Sequence, residues 1–94
     1  MNYKVVWTEE AEISLSEVID YLDKKWYQKQ VLTFLEKLNT TVSILRETPL
    51  IYPEFGPLKV RRALINKQTS LFLKIEKEDI IILSVRDNKR SPRF

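Results

Sequence analysis

The chain has no cysteine, no histidine and a single glycine, and none of its apolar runs approaches the roughly 18–20 residues that cross a bilayer. Without cysteine there are no disulfides, thiolate metal sites or cysteine nucleophiles. Without histidine the usual general base near neutral pH and the commonest metal ligand are missing. One glycine cannot build a phosphate-cradling loop. Neither a metal nor an organic cofactor is therefore expected, and no small-molecule substrate. Met1-Asn2-Tyr3-Lys4 runs straight into a strand-like segment and not through a signal peptide. A cytoplasmic protein without membrane association is the expectation.

What is present is one domain's worth of chain, 94 residues with 44% hydrophobic content, read as a single domain over 1–94. The net charge of +3 is unevenly spread. Residues 1–57 hold six Lys/Arg against nine Asp/Glu, a net of −3, and residues 58–94 hold ten against four, a net of +6. Such asymmetry points to a polyanionic or acidic partner for the second half. The bland alternative is a solvated basic face.

Periodicity divides the chain further. Tyr3-Lys4-Val5-Val6-Trp7 has the β-branched and aromatic content of a strand. Thr8 offers a helix N-cap, and Glu9, Glu10 and Glu12 lie where the helix dipole favours anions. Ala11, Leu15, Val18, Ile19, Leu22 and Trp26 recur at helical spacing, which predicts a helix over 8–25. Val31, Phe34, Leu35, Leu38, Val42 and Leu45 predict a second over 28–47, ended by Pro49. The joint of this hairpin falls near Trp26-Tyr27-Gln28. Residues 48–57 contain three of the four prolines and the glycine, and form a loop. The period then becomes strand-like, with strands expected at Leu58–Ile65, Leu71–Glu76 and Ile80–Val85 and a turn at Lys77-Glu78-Asp79. Asp87–Phe94 is a basic tail. The order β-α-α-β-β-β argues for an α+β fold, a helix hairpin packed on an antiparallel sheet.

Several features in this order resemble the RelE/ParE superfamily of type II toxin–antitoxin toxins, the plasmid stabilisation type. They are Tyr3-Lys4-Val5-Val6-Trp7-Thr8, then Ala11 and Ile19-Asp20-Tyr21-Leu22, the loop prolines, Val60-Arg61-Arg62-Ala63-Leu64-Ile65, Leu71-Phe72-Leu73-Lys74-Ile75, Ile80-Ile81-Ile82-Leu83-Ser84-Val85, and the ending Asp87-Asn88-Lys89-Arg90-Ser91-Pro92. The resemblance spans essentially the whole chain. It implies a growth-arresting toxin, neutralised by a cognate antitoxin that wraps it. Two targets occur in the superfamily: RelE-like members cleave mRNA in the ribosomal A site, and ParE-like members poison DNA gyrase. Some relatives have no demonstrated activity.

Metal-independent RNA cleavage needs a base for the 2′-hydroxyl, cations for the charge on phosphorus, and an acid for the leaving oxygen. Here lysine would be the base and arginine the clamp. Under the RelE resemblance, Lys59 and Arg61 fall at the catalytic lysines, whereas Ser70 and Asn88 fall where arginines belong and Phe94 where a tyrosine belongs. A phenylalanine stacks but donates no hydrogen bond. Lys59 and Arg61 are thus the catalytic candidates if the chain is a ribonuclease. Arg62, Arg86, Lys89, Arg90, Arg93 and Phe94 are the candidates for contact with a target or nucleic acid. Lys59, Arg61 and Arg62 are expected together on one strand, with the two arginines facing opposite sides unless a bulge intervenes. One of them could pair with an acid of the first helix, and Asp87 could orient a neighbouring cation or cap a turn. Trp7 and Trp26 are expected in the core or an antitoxin groove, and Tyr52 and Phe55 over the core edge.

Overall fold

A computed structural model describes residues 2–54 and 56–88. The elements are β1 (Lys4–Trp7), α1 (Glu9–Lys25), α2 (Gln28–Glu47), a 3-10 turn (Pro49–Ile51), β2 (Arg61–Leu64), β3 (Thr69–Glu76) and β4 (Asp79–Asp87). Both helices fall within a residue of their predicted bounds because their end signals are strong. Thr8 accepts a hydrogen bond from the Ala11 N–H at 3.0 Å, starting α1. At the end of α2, Thr48 returns its own N–H to the Ile44 carbonyl before buried Pro49 stops the helix.

The sheet order is β1-β4-β3-β2. The three strands after the loop are antiparallel, as expected, and β1 joins them in parallel alongside β4. The sheet is therefore mixed. A parallel pair needs a long crossover, and here the helix hairpin together with β2 and β3 supplies it. Ala11, Phe34, Leu38 and Leu45 of the helices pack against Ala63, Ile65, Leu71, Leu73, Ile80, Ile82 and Val85 of the sheet. Ile80, Ile82 and Val85 all reach this core because the register shifts between Phe72 and Leu73: Phe72 lies opposite Ser84 and Leu73 opposite Ile82, leaving Leu83 as the extra residue.

Strand β2 begins at Arg61, three residues later than predicted. Gly56 and Lys59 both take positive φ, 81° and 59°, so the chain is still turning where the sequence suggests a strand. Lys59 is exposed and lies before the strand, which corrects its expected place beside Arg61 and Arg62. Asp79 belongs to β4, leaving Lys77 and Glu78 as the turn.

β4 outruns β1, and α1 satisfies the polar groups that this leaves. Past the last β1 pairing, Trp7 with Ile82, the Thr8 hydroxyl donates to the Ile82 carbonyl at 2.7 Å, and the Val85 N–H donates to the buried Ser14 hydroxyl at 2.9 Å. By contrast, the fully buried Ser84 hydroxyl has no hydrogen-bond partner among the described residues. Removing a buried acceptor strands its donor, while removing an unpartnered hydroxyl does not. Ser14→Ala should therefore lower stability by about 1–3 kcal/mol, and Ser84→Ala should leave it unchanged or higher; urea denaturation of the two variants measures both.

Candidate functional site

The far end of the sheet gathers the polar side chains. Arg62 lies on the short edge strand β2 and projects across β3. Its Nε donates to Ser70 Oγ at 2.9 Å, and its Nη2 donates to Asn88 Oδ1 at 3.0 Å. The Ser70 hydroxyl, fully buried, donates to the same Asn88 oxygen. Asn88 also gives its side-chain amide to the Lys67 carbonyl at 2.9 Å and its backbone N–H to the Gln68 carbonyl at 2.7 Å. The turn that carries Lys67 and Gln68 is held by Asn66, whose Oδ1 accepts from the Gln68 and Thr69 N–H groups. One guanidinium thus links β2, β3 and the residue that follows β4.

The other arginines go elsewhere. Arg61 projects to the loop, where Nη1 donates to the Tyr52 carbonyl at 2.6 Å and Nη2 lies 3.6 Å from the Glu54 carboxylate. An isolated bridge between Glu54 and Arg61 and a bond from the Arg62 N–H to the Pro53 carbonyl close this part of the β2 edge. Tyr52 is half-buried there, and desolvation raises its phenol above the ordinary value of 10.0. A raised phenol pKa favours the neutral folded form, so this contribution is lost as pH climbs past the ordinary tyrosine value. The arginine that reaches the first helix is Arg86, whose Nη2 is 3.0 Å from Glu10 Oε1. That pair is largely solvated and contributes little.

Among the described residues the predicted cations therefore do not form one dense cluster. β2 and β4 are separated by β3, Lys59 stands apart on its turn, and Arg61, Arg62 and Arg86 hold three different partners. Arg61 and Arg62 do take different directions, as alternation requires. Lys89, Arg90, Arg93, Phe94 and Phe55 lie outside the described residues. Of the tryptophans, Trp7 packs against the core and Trp26 is 52% exposed at the hairpin joint. Sequence reasoning noted Ser70 and Asn88 only for their lack of charge and missed their link to Arg62. The signal was available in part: Ser70 pairs with Leu64, two residues from Arg62, so the two side chains share a sheet face. No group of three or more acidic, histidine or cysteine side chains is placed to hold a metal among the described residues.

Several solved structures share this architecture. A chromosomal ParDE toxin–antitoxin system from P. aeruginosa superposes with a TM-score of 0.77 at 16% identity, covering 90% of this chain and 95% of that one. The RelBE2 toxin–antitoxin complex from Mycobacterium tuberculosis gives 0.63 at 17%, covering 94% and 100%. A copper-bound mutant toxin from Helicobacter pylori gives 0.65 at 17%, covering 93% and 96%. The fold is RelE/ParE-like. Residues 5–92 match the ParE toxin of the type II toxin–antitoxin system parDE, and the chain belongs to that family. A comparison with curated protein sequences gives no match.

The linkage through Arg62 makes a quantitative expectation. Arg62→Ala and Asn88→Ala should each cost about 1–3 kcal/mol, since each strands a hydrogen-bonded partner. Their double-mutant cycle should show a coupling of about 0.5–3 kcal/mol, against a few tenths for Glu10→Ala with Arg86→Ala. Additive losses for the Arg62 pair would mean that the two side chains act independently.

Proposed function

We propose that this chain is the toxin of a type II module, held in check by a cognate antitoxin in the cytoplasm, and that it arrests growth by acting on DNA gyrase without cutting RNA itself. The observation that supports this reading is the linkage of Arg62 with Ser70 and Asn88. A RelE-type ribonuclease would have arginines at the last two positions to stabilise charge on phosphorus. Here both groups are neutral and bonded to Arg62. Each lost donor of that kind typically costs about 10²–10³ in rate. The two catalytic candidates fit no better. Lys59 is exposed on a turn, and Arg61 is engaged by the Tyr52 carbonyl and Glu54.

A gyrase poison asks for a docking surface and not a catalytic set. The excess of ten Lys/Arg over four Asp/Glu in residues 58–94 suits an acidic or polyanionic target. Membership in the ParE family points the same way.

Induced expression without antitoxin should stop growth. The purified chain should inhibit gyrase supercoiling and raise double-strand breaks while cellular mRNA stays intact. Unimpaired gyrase would sink the gyrase assignment. Messages cut at ribosomal A sites, with cutting abolished by Lys59→Ala or Arg61→Ala, would establish the ribonuclease in its place. Normal growth with abundant soluble protein would leave only a non-toxic relative that binds an antitoxin.

A further inference from the structure

The joint of the helix hairpin carries side chains that the fold does not use. Trp26 and Tyr27 lie between α1 and α2 and are 52% and 81% exposed, and Tyr21, one turn back on α1, is 57% exposed. Every residue from 23 to 29 is exposed, so the joint is a convex tip and not a groove. Two adjacent aromatics left in water forgo the stabilisation that burial would give them. The backbone that presents them is fixed at both ends. The Trp26 N–H donates to the Leu22 carbonyl and the Gln30 N–H to the Tyr27 carbonyl, each at 2.9 Å. Between these bonds both residues are extended, with ψ of 178° and 159°, so their side chains leave the chain on opposite sides. A contact made by an ordered backbone costs less entropy than one made by a loose loop.

Charge at the tip runs against its surroundings. Residues 1–57 hold six Lys/Arg and are net negative, yet three of the six, Lys24, Lys25 and Lys29, fall within three residues of the aromatic pair. All three are exposed, and none forms a salt bridge among the described residues. Lys24 and Lys25 suit the C-terminal end of α1, where the helix dipole favours cations. Lys29 has no such local reason. It stands in the first turn of α2, where carboxylates are favoured and none is present. Aromatic anchors beside unpaired lysines match a protein pocket rimmed by carboxylates. A second copy of this chain would set the lysines against their own duplicates, which is destabilising. A single nucleic-acid strand is held in a groove that tracks its backbone, and this tip offers none.

We infer that the tip of the helix hairpin docks into an acidic pocket of the target protein, with Trp26 and Tyr27 as anchors and Lys24, Lys25 and Lys29 meeting the carboxylates at its rim. This rests on the gyrase reading proposed above and names the surface that would carry it. The rise of α1 sets the tip roughly 24 Å from Glu10, the partner of Arg86. Target binding would then involve the acidic first half of the chain and not its basic second half alone.

The test measures the affinity of the full chain for purified gyrase, with and without DNA, beside inhibition of supercoiling. The chain should bind gyrase in the absence of DNA. Trp26→Ala and Tyr27→Ala should each weaken binding and inhibition by at least about tenfold. The triple variant Lys24→Glu, Lys25→Glu and Lys29→Glu alters exposed side chains only. It should weaken both by a similar factor and reduce their dependence on salt. All of these variants should melt like the parent chain and still co-purify with the product of the short reading frame adjoining its gene. Folded variants that bind and inhibit gyrase as the parent does would overturn the inference and leave the gyrase reading standing. Binding that requires DNA would overturn it in favour of a nucleic-acid contact. Folded variants that lose the antitoxin would overturn it in favour of an antitoxin contact. Gyrase left unimpaired by the parent chain would overturn both.

Discussion

The fold depends on how the polar edge of β4 is satisfied. For its first half β4 has neighbours on both sides, β1 on one and β3 on the other. Beyond Ile82 the β1 side is vacant, and a buried strand with unpaired N–H and carbonyl groups is costly. α1 resolves this with two hydroxyls. Thr8 serves as both the helix cap and a donor to the Ile82 carbonyl, and Ser14 receives the Val85 N–H while donating to the Ala11 carbonyl. Small side chains are required at this seam. Ala11 and Ser14 are nearly or fully buried, which lets the helix approach the strand closely enough for a hydroxyl to stand in for a missing ladder bond. The bulge at Leu83 fits the same scheme, since it rotates Val85 into the core and its N–H towards α1.

That seam also orders the rest of the molecule. With α1 fixed on β4, the helix hairpin covers one face of the sheet and the apolar residues of α2 close the core. Three residues past Val85, β4 leads to Asn88, where Arg62 and Ser70 meet. The second half of the strand is thus secured by helix hydroxyls along one side and by a side-chain link just beyond its end. There the charge of Arg62 is engaged in holding the sheet together.

Much of the architecture was legible in the residues because local signals were strong. Thr8 followed by three glutamates, the two apolar stripes at helical spacing, and the proline-rich interval at 48–57 define the hairpin and the break after it. What escaped was set by long-range geometry. Parallel placement of β1 depends on residues more than 70 positions away, and nothing in a four-residue strand states its partner. Lys59 lies between Leu58 and Val60 in a run that reads as strand, yet takes a left-handed turn as the chain swings round from Gly56 to bring Arg61 to Glu54. The site was legible as a set of cations but not as an arrangement. Arg61, Arg62 and Arg86 look alike in a row of letters, and only the register decides that they meet a loop carbonyl, a serine with an asparagine, and a helix glutamate.

The parallel pairing of β1 with β4 has a consequence for how the protein comes into being. Synthesis runs from the N-terminus, so β1 and α1 emerge first, but the strand they must join is assembled last in sequence order. Until β4 has emerged, Trp7 has no strand to pair with, and the hydroxyls of Thr8 and Ser14 have no strand to bind. The nascent chain can form its helices and its second hairpin, but not its sheet. The closing of a loop of some seventy residues is then the late and slow event. No partial product of translation can therefore present the finished surface, so the fold carries a built-in delay.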